Sequence, residues 1–188
     1  MSAMIYTVGH SNRPIEGLLE LLKASLINAV ADVRTSPYSR FAPQYNATAL
    51  ATALRKAGMA YVPLPELGGR PESADLYEPD GRVSYARLCA TPAWQSGLER
   101  LTRGVAVWRI AVLCSEEDPA GCHRRLAIAP GLASRGFEVL HLRADGRIQD
   151  ETALAAEIAA RPQAKRVPIE AAETGHVSVH PIRGPHPA

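Results

Sequence analysis

The sequence predicts an α/β fold in three layers, a mostly parallel five-stranded sheet with helices on both faces. Three observations lead there. Five short β-rich runs alternate with segments of helical periodicity. The fourth run, residues 107–114 (VWRIAVLC), is continuously apolar and β-branched, as strands buried on both faces are. A chain of 188 residues is long enough for one domain with a sizeable core and short for two, and residues 1–160 are read as that domain.

Residues 4–8 (MIYTV) read as the first strand, and GHSNRP as the loop after it. Apolar residues at helical spacing over 15–25 predict a helix, with Ser11 or Asn12 as its cap and Pro14 in its tolerant first turn. The second strand is 28–34, followed by the polar loop TSPYSRFAPQYN. Asn46 or Thr48 opens a helix that Gly58 ends. The third strand is 60–64, and a long Gly- and Pro-rich loop follows it. Helices are expected near 83–90 and over 92–103, the second capped by Thr91. After the fourth strand, CHRRLAIAPGLASRG reads as a helix that Pro130 kinks and Gly136 stops. The fifth strand is 137–142, ADGR is a turn, and a closing helix starts at Asp150. Residues 161–188 lose periodicity and gain proline and histidine, the pattern of a flexible tail.

Charge and composition exclude several classes. A net charge of +2 gives no global attraction to nucleic acid or membrane, so any such attraction must be local. No apolar run reaches the ~20 residues of a membrane span, and the first residues lack the pattern of a secretion signal. Three cysteines, Cys89, Cys114 and Cys122, suit a reducing cytoplasm. Aromatic content of 5% argues against a stacking platform for single strands.

In sheets of this type, ligands gather at the carboxyl ends of strands. The chemistry-bearing residues of this chain follow its strands: His10, Ser11 and Asn12; Asp32, Arg34, Ser39 and Arg40; Gly69 and Arg70; Cys114, Glu116, Cys122, His123 and Arg124; and His141 within the fifth strand. Residues before the strands are plain turn formers. The asymmetry predicts a functional face.

The blocks TVGHSN, DVRTSPYSR, LGG, LCSEEDPAGCHRR and LHL, in that order from about Met4 to Ala160, resemble the domain-of-unknown-function 488 family. The resemblance implies a compact bacterial or archaeal intracellular α/β domain. It implies no settled reaction.

The residue types themselves suggest two chemistries. Arg34, Arg40 and Arg124 offer planar forks for a phosphate or carboxylate, with Ser11, Asn12, Ser39, Gly69 and His123 beside them and a helix start near Cys122. The competing expectation is that Arg34 and Arg40 pair with Asp32, Glu116 or Asp118 and tie loops together. Cys122 at a helix start, beside His123 and Arg124, suits a thiolate nucleophile. The competing expectation is an inert buried thiol. His10 is the candidate base, with Asp32 and Glu116 orienting the basic groups. Cys114 and Cys122 are a weak candidate for a reversible disulfide. No metal and no cofactor are expected, because zinc-type spacing is missing and adjacent Cys122 and His123 rarely share an ion. The leading expectation is an enzyme for a small anionic or phosphorylated ligand, a nucleotide or nucleic-acid end. The alternatives are a non-catalytic nucleotide- or nucleic-acid-binding module and a structural or interaction domain. No membrane partner is expected, and the sequence leaves the oligomeric state open.

Overall fold

Six strands form one sheet in the order β3-β2-β4-β1-β5-β6, in a computed structural model that describes residues 3–161. The elements in chain order are β1 (Ala3–Gly9), α1 (Ile15–Ala24), β2 (Ala29–Asp32), α2 (Ala47–Lys56), β3 (Ala60–Pro63), α3 (Tyr85–Ala90), α4 (Pro92–Val105), β4 (Ile110–Cys114), α5 (Ala129–Ala133), β5 (Phe137–Leu142), β6 (Ile148–Asp150) and α6 (Glu151–Ala160). β1 to β5 run parallel, and β6 pairs antiparallel with β5. The fold is therefore mixed α/β with a mostly parallel sheet, as expected, but with six strands instead of five. The tail expected over 161–188 lies outside the described residues from 162 onward. Among the described residues, no helix is long and apolar enough to cross a membrane.

The extra strand directly follows the ADGR turn and takes in Asp150, the expected cap of the closing helix. Gly146 sits at φ +86°, which closes the tight turn between Arg143 and Arg147 and lets three residues pair with β5. Three residues are too few for alternation to register in sequence. Asp150 then caps α6, accepting from the Ala153 amide at 2.7 Å. β4 begins three residues later than expected, because Val107 and Trp108 are exposed at its entrance.

Strand residues alternate between two apolar clusters, which is what a pleated sheet covered on both faces requires. Ile5, Ala29, Ala31, Ile110 and Val112 join residues of α3, α4 and α5. Tyr6, Val8, Val30, Ala111 and Leu113 join residues of α1 and α2. The chain leaves β1 toward β2 through α1, whereas it leaves β4 toward β5 through α5. These crossovers run in opposite directions, and β1 and β4 are sheet neighbours. A reversal of this kind is where ligands of open parallel sheets gather, at the carboxyl ends of the two strands.

Caps differ from expectation in two places. Pro14 is the residue preceding α1, and neither Ser11 nor Asn12 caps it. Asn46 does precede α2, but its side-chain oxygen accepts from the Ser39 amide at 2.7 Å instead of from the helix. Thr91 caps α4 as read, accepting from the Trp94 amide. Pro130 has a local cost. It has no N–H for a helical bond and its ring crowds the carbonyl one turn back. The turn before it, Arg124–Ile128, widens into a π-helix, and α5 is short.

Candidate functional site

The loops after β1 and β4 continue the pairing of their strands. The His10 amide donates to the Cys114 carbonyl at 3.0 Å and the Ser11 amide to the Ser115 carbonyl at 2.8 Å. The β4 loop then crosses over the end of β1. A Cβ on Gly9 would stand 1.7 Å from the Glu116 carbonyl oxygen, so only glycine permits the crossing. Strand alternation sorts the polar residues beyond this point onto opposite faces of the sheet.

On the face of α1 and α2, Asp32 and Arg34 form a bidentate pair at 2.8 and 2.6 Å. Asp32 also accepts from the Tyr61 hydroxyl at 2.9 Å. Arg34 Nη1 faces His10 Nε2 at 3.1 Å, so that nitrogen is the acceptor, and His10 Nδ1 donates to the Ser11 carbonyl at 2.5 Å. The ring stacks on Tyr45 with centroids 4.1 Å apart. Burial, and next to it the Arg34 guanidinium, pull the His10 pKa down to about 4, the Ser11 bond opposing them. Burial and Asp32 push the Tyr61 hydroxyl up to about 12.

On the face of α3 to α5 lie Cys114, Cys122, His123 and Arg124, all buried. His123 Nδ1 is 3.8 Å from each of the two sulfurs. The side-chain ligand atoms of Cys114, Cys122 and His123 all lie within 4.8 Å of one another. The neighbouring Cys122 thiol more than offsets burial and holds the Cys114 thiol at about 6. The Cys114 sulfur beside it, with burial, pushes the Cys122 thiol up. Arg124 is 1% exposed, and its partners are neutral or soft: the Glu116 carbonyl at 2.5 Å, the Glu117 carbonyl at 3.3 Å, Thr7 Oγ1 at 3.4 Å and Cys122 Sγ at 3.3 Å. No carboxylate of the described residues pairs with it. Thr7 in turn meets His141 Nδ1 at 2.7 Å.

The LGG loop closes over this cluster. A Cβ on Gly69 would come 2.6 Å from His123 Cγ, and one on Gly68 would come 2.2 Å from Thr35 Oγ1. The two glycines thus let bare backbone approach the imidazole and the DVRT loop. A cavity of about 560 Å³ lies beyond the π-turn, lined by Arg125, Leu126, Glu138 and Glu151 among others; neither cysteine nor His123 lines it.

The residues singled out in sequence therefore divide. Cys122, His123 and Arg124 come together, and Cys114 joins them. His10, Asp32 and Arg34 come together on the opposite face, hydrogen-bonded to one another and not to the cysteines. The guanidiniums of Arg34 and Arg124 are engaged internally. Ser11, Asn12, Arg40 and Arg70 are exposed. Arg40 lies over the Phe41 ring at 4.8 Å, and Ser39 Oγ accepts from the Phe41 and Ala42 amides to hold its own turn. Of the acids after Ser115, Glu116 is exposed, Glu117 accepts from Arg143 at 3.1 Å, and Asp118 accepts from Arg161 at 2.6 Å. Thr7 was hidden inside an apolar run. Tyr85, whose hydroxyl is pushed up by burial and by the nearby cysteines and Glu116, carried no sequence signal.

The spacing argument against a Cys–His cluster fails on geometry. The β4 loop doubles back, so residues eight apart in sequence meet, and the near nitrogen of the imidazole, Nδ1, reaches both sulfurs.

Residues 14–129 match the family described as Domain of unknown function DUF488. No curated protein and no solved structure matches the chain.

Proposed function

This chain belongs to the DUF488 family, whose description names no reaction, and we propose that it is an enzyme acting on a small anionic, phosphate-bearing substrate at the carboxyl ends of the strands. One observation carries the reading. Two cysteines, a histidine and a buried arginine with no carboxylate partner among the described residues converge beneath the LGG loop at the carboxyl ends of β1 and β4. A buried charge without an opposite charge costs stability, and perturbed titratable groups gather at functional sites.

Within this reading Cys114, Cys122 and His123 supply the reacting groups, and the exposed Glu116 stands beside them as a base. The substrate's charge is met at the rim by Arg70, which follows the Gly69 that packs on His123, with Ser11, Asn12 and Arg40 farther along the edge. Arg124 orders the floor of the site. His10, Asp32 and Arg34 hold the loops that form it. The reading includes one domain over 1–160 in three layers, which the two apolar clusters support, and a cytoplasmic setting, which the unbridged cysteines support. The second reading, an internal tie in place of a site, has specific observations in its favour: the two-point bond of Arg34 to Asp32 and the bonds of Arg124 to the Glu116 and Glu117 carbonyls.

The test is a thermal-shift and turnover screen over nucleotides, nucleic-acid ends and phosphorylated metabolites, run on the wild type, Arg70→Ala and Cys114→Ser. A ligand binding only the native state raises its melting temperature. Expected is a subset of compounds that stabilise the wild type, stabilise Arg70→Ala less, and are bound but not turned over by Cys114→Ser. Identical responses of all three proteins to every compound reject the reading. Steep loss of binding with salt and no turnover would instead mark a non-catalytic nucleic-acid module.

A further inference from the structure

We propose that Cys114, Cys122 and His123 form a binding site for one thiophilic divalent cation of the zinc type, with a fourth position left for water or substrate. The inference rests on reading this cluster as the reactive centre and adds what the cluster holds.

Distances come first. A tetrahedral zinc with sulfur ligands at about 2.3 Å and a nitrogen at about 2.0 Å sets N···S separations near 3.5 Å and S···S separations near 3.8 Å. The two N···S separations are both 3.8 Å, and no pair of the three ligand atoms exceeds 4.8 Å. The cluster is thus nearly at the size of an occupied site without moving backbone. Orientation comes second. Gly69 brings bare backbone against the Cβ, Cγ and Nδ1 side of the imidazole, and Nδ1 lies within reach of both sulfurs. The imidazole Nε2 is buried with no hydrogen-bond partner among the described residues, so Nδ1 is the nitrogen that faces the cluster.

The surroundings fit a ligating thiolate. Arg124 Nε donates to Cys122 Sγ at 3.3 Å, the outer-shell bond that orients a metal ligand. Coordinating thiols are deprotonated by the ion itself. Two thiolates carry two negative charges, the cation two positive, and the buried Arg124 one more. The occupied site is left with one positive charge, which an anionic substrate at the fourth position would neutralise. Three protein ligands with an open position is the pattern of catalytic zinc; structural sites close with four.

The probe is Co²⁺, followed by Zn²⁺ displacement, added to the reduced, chelator-stripped full chain. Expected is one equivalent of Co²⁺ giving near-ultraviolet thiolate-to-cobalt absorption together with visible bands of tetrahedral intensity, both lost when Zn²⁺ is added. Cys114→Ser and Cys122→Ser should abolish the thiolate band, His123→Ala should weaken binding at least tenfold, and Cys89→Ser should change nothing. The sequence carries His176, His180 and His186, and binding by those residues gives no thiolate band. Binding without that band, or a band surviving in both cysteine variants, overturns the proposal. Should a cysteine variant fail to fold by circular dichroism, alkylation of the wild type decides. Zn²⁺ must then slow labelling of Cys114 and Cys122 and leave Cys89 unaffected, and equal rates with and without the ion overturn the site. A cobalt band with a silent substrate screen removes the enzyme reading alone. Turnover in a chain that gives no band removes the cation alone.

Discussion

Arg34→Leu separates a structural arginine from one held ready for a ligand. Arg34 is 7% exposed and Asp32 2%, and their two bonds are 2.8 and 2.6 Å long. Removing the guanidinium leaves the carboxylate inside the protein with only the Tyr61 hydroxyl and the Arg34 amide as donors, and it leaves His10 Nε2 without its donor. Breaking a buried pair from one side costs about 3–5 kcal/mol, because an uncompensated charge stays behind. For a chain of this size that corresponds to a fall in melting temperature of roughly 6–20 °C. The double variant Asp32→Leu/Arg34→Leu removes both charges. It should therefore lose about 2 kcal/mol less than the sum of the two single variants, a coupling that urea denaturation can resolve. A single variant within about 1 kcal/mol of the wild type, or an additive double variant, refutes the reasoning and returns Arg34 to the anion-binding candidates.

Three further outcomes follow from contacts at the same sheet edge. Gly9→Ala forces a Cβ to 1.7 Å from a backbone carbonyl oxygen that cannot swing aside, and should cost about 3 kcal/mol or more in a thermal melt. Tyr61→Phe removes a hydrogen bond to the Asp32 carboxylate and should cost about 1.5 kcal/mol by urea denaturation. His10 has a folded pKa of about 4, below its ordinary 6.5, so its contribution to stability is complete above pH 6.5 and is lost as pH falls toward 4. Between pH 7.5 and 5 the wild type should lose about 2 kcal/mol more than His10→Gln, and parallel pH profiles would contradict a buried neutral imidazole.

The sheet was largely legible in the sequence because its signals are local. Each parallel strand is a short apolar run between turn formers, and Gly58 and Gly136, both at positive φ, end helices where expected. The gathering of chemistry after the strands was legible for a related reason. In a parallel sheet all carboxyl ends point one way, so their loops share an edge whatever the strand order.

What the sequence could not decide is which of those residues meet. A side chain's face depends on its register, and one residue's difference sends it to the other side of the sheet. Asp32 and Arg34 fall on the face of α1 and α2, and Cys114 on the face of α3 to α5, although every one of them lies at or just past the end of a strand. His10 and Cys122 looked like one constellation and are two. The strand order that places β4 between β1 and β2 brings Gly9 under the Glu116 carbonyl, and the doubling-back of that loop seats His123 Nδ1 between two sulfurs. Composition and periodicity determined the mostly parallel α/β sheet and the edge at which the polar loops gather. Tertiary structure alone turned CHRR from a row of neighbours into a thiol–imidazole cluster with a buried guanidinium behind it, because contact between residues distant in sequence is set by topology and not by local propensity.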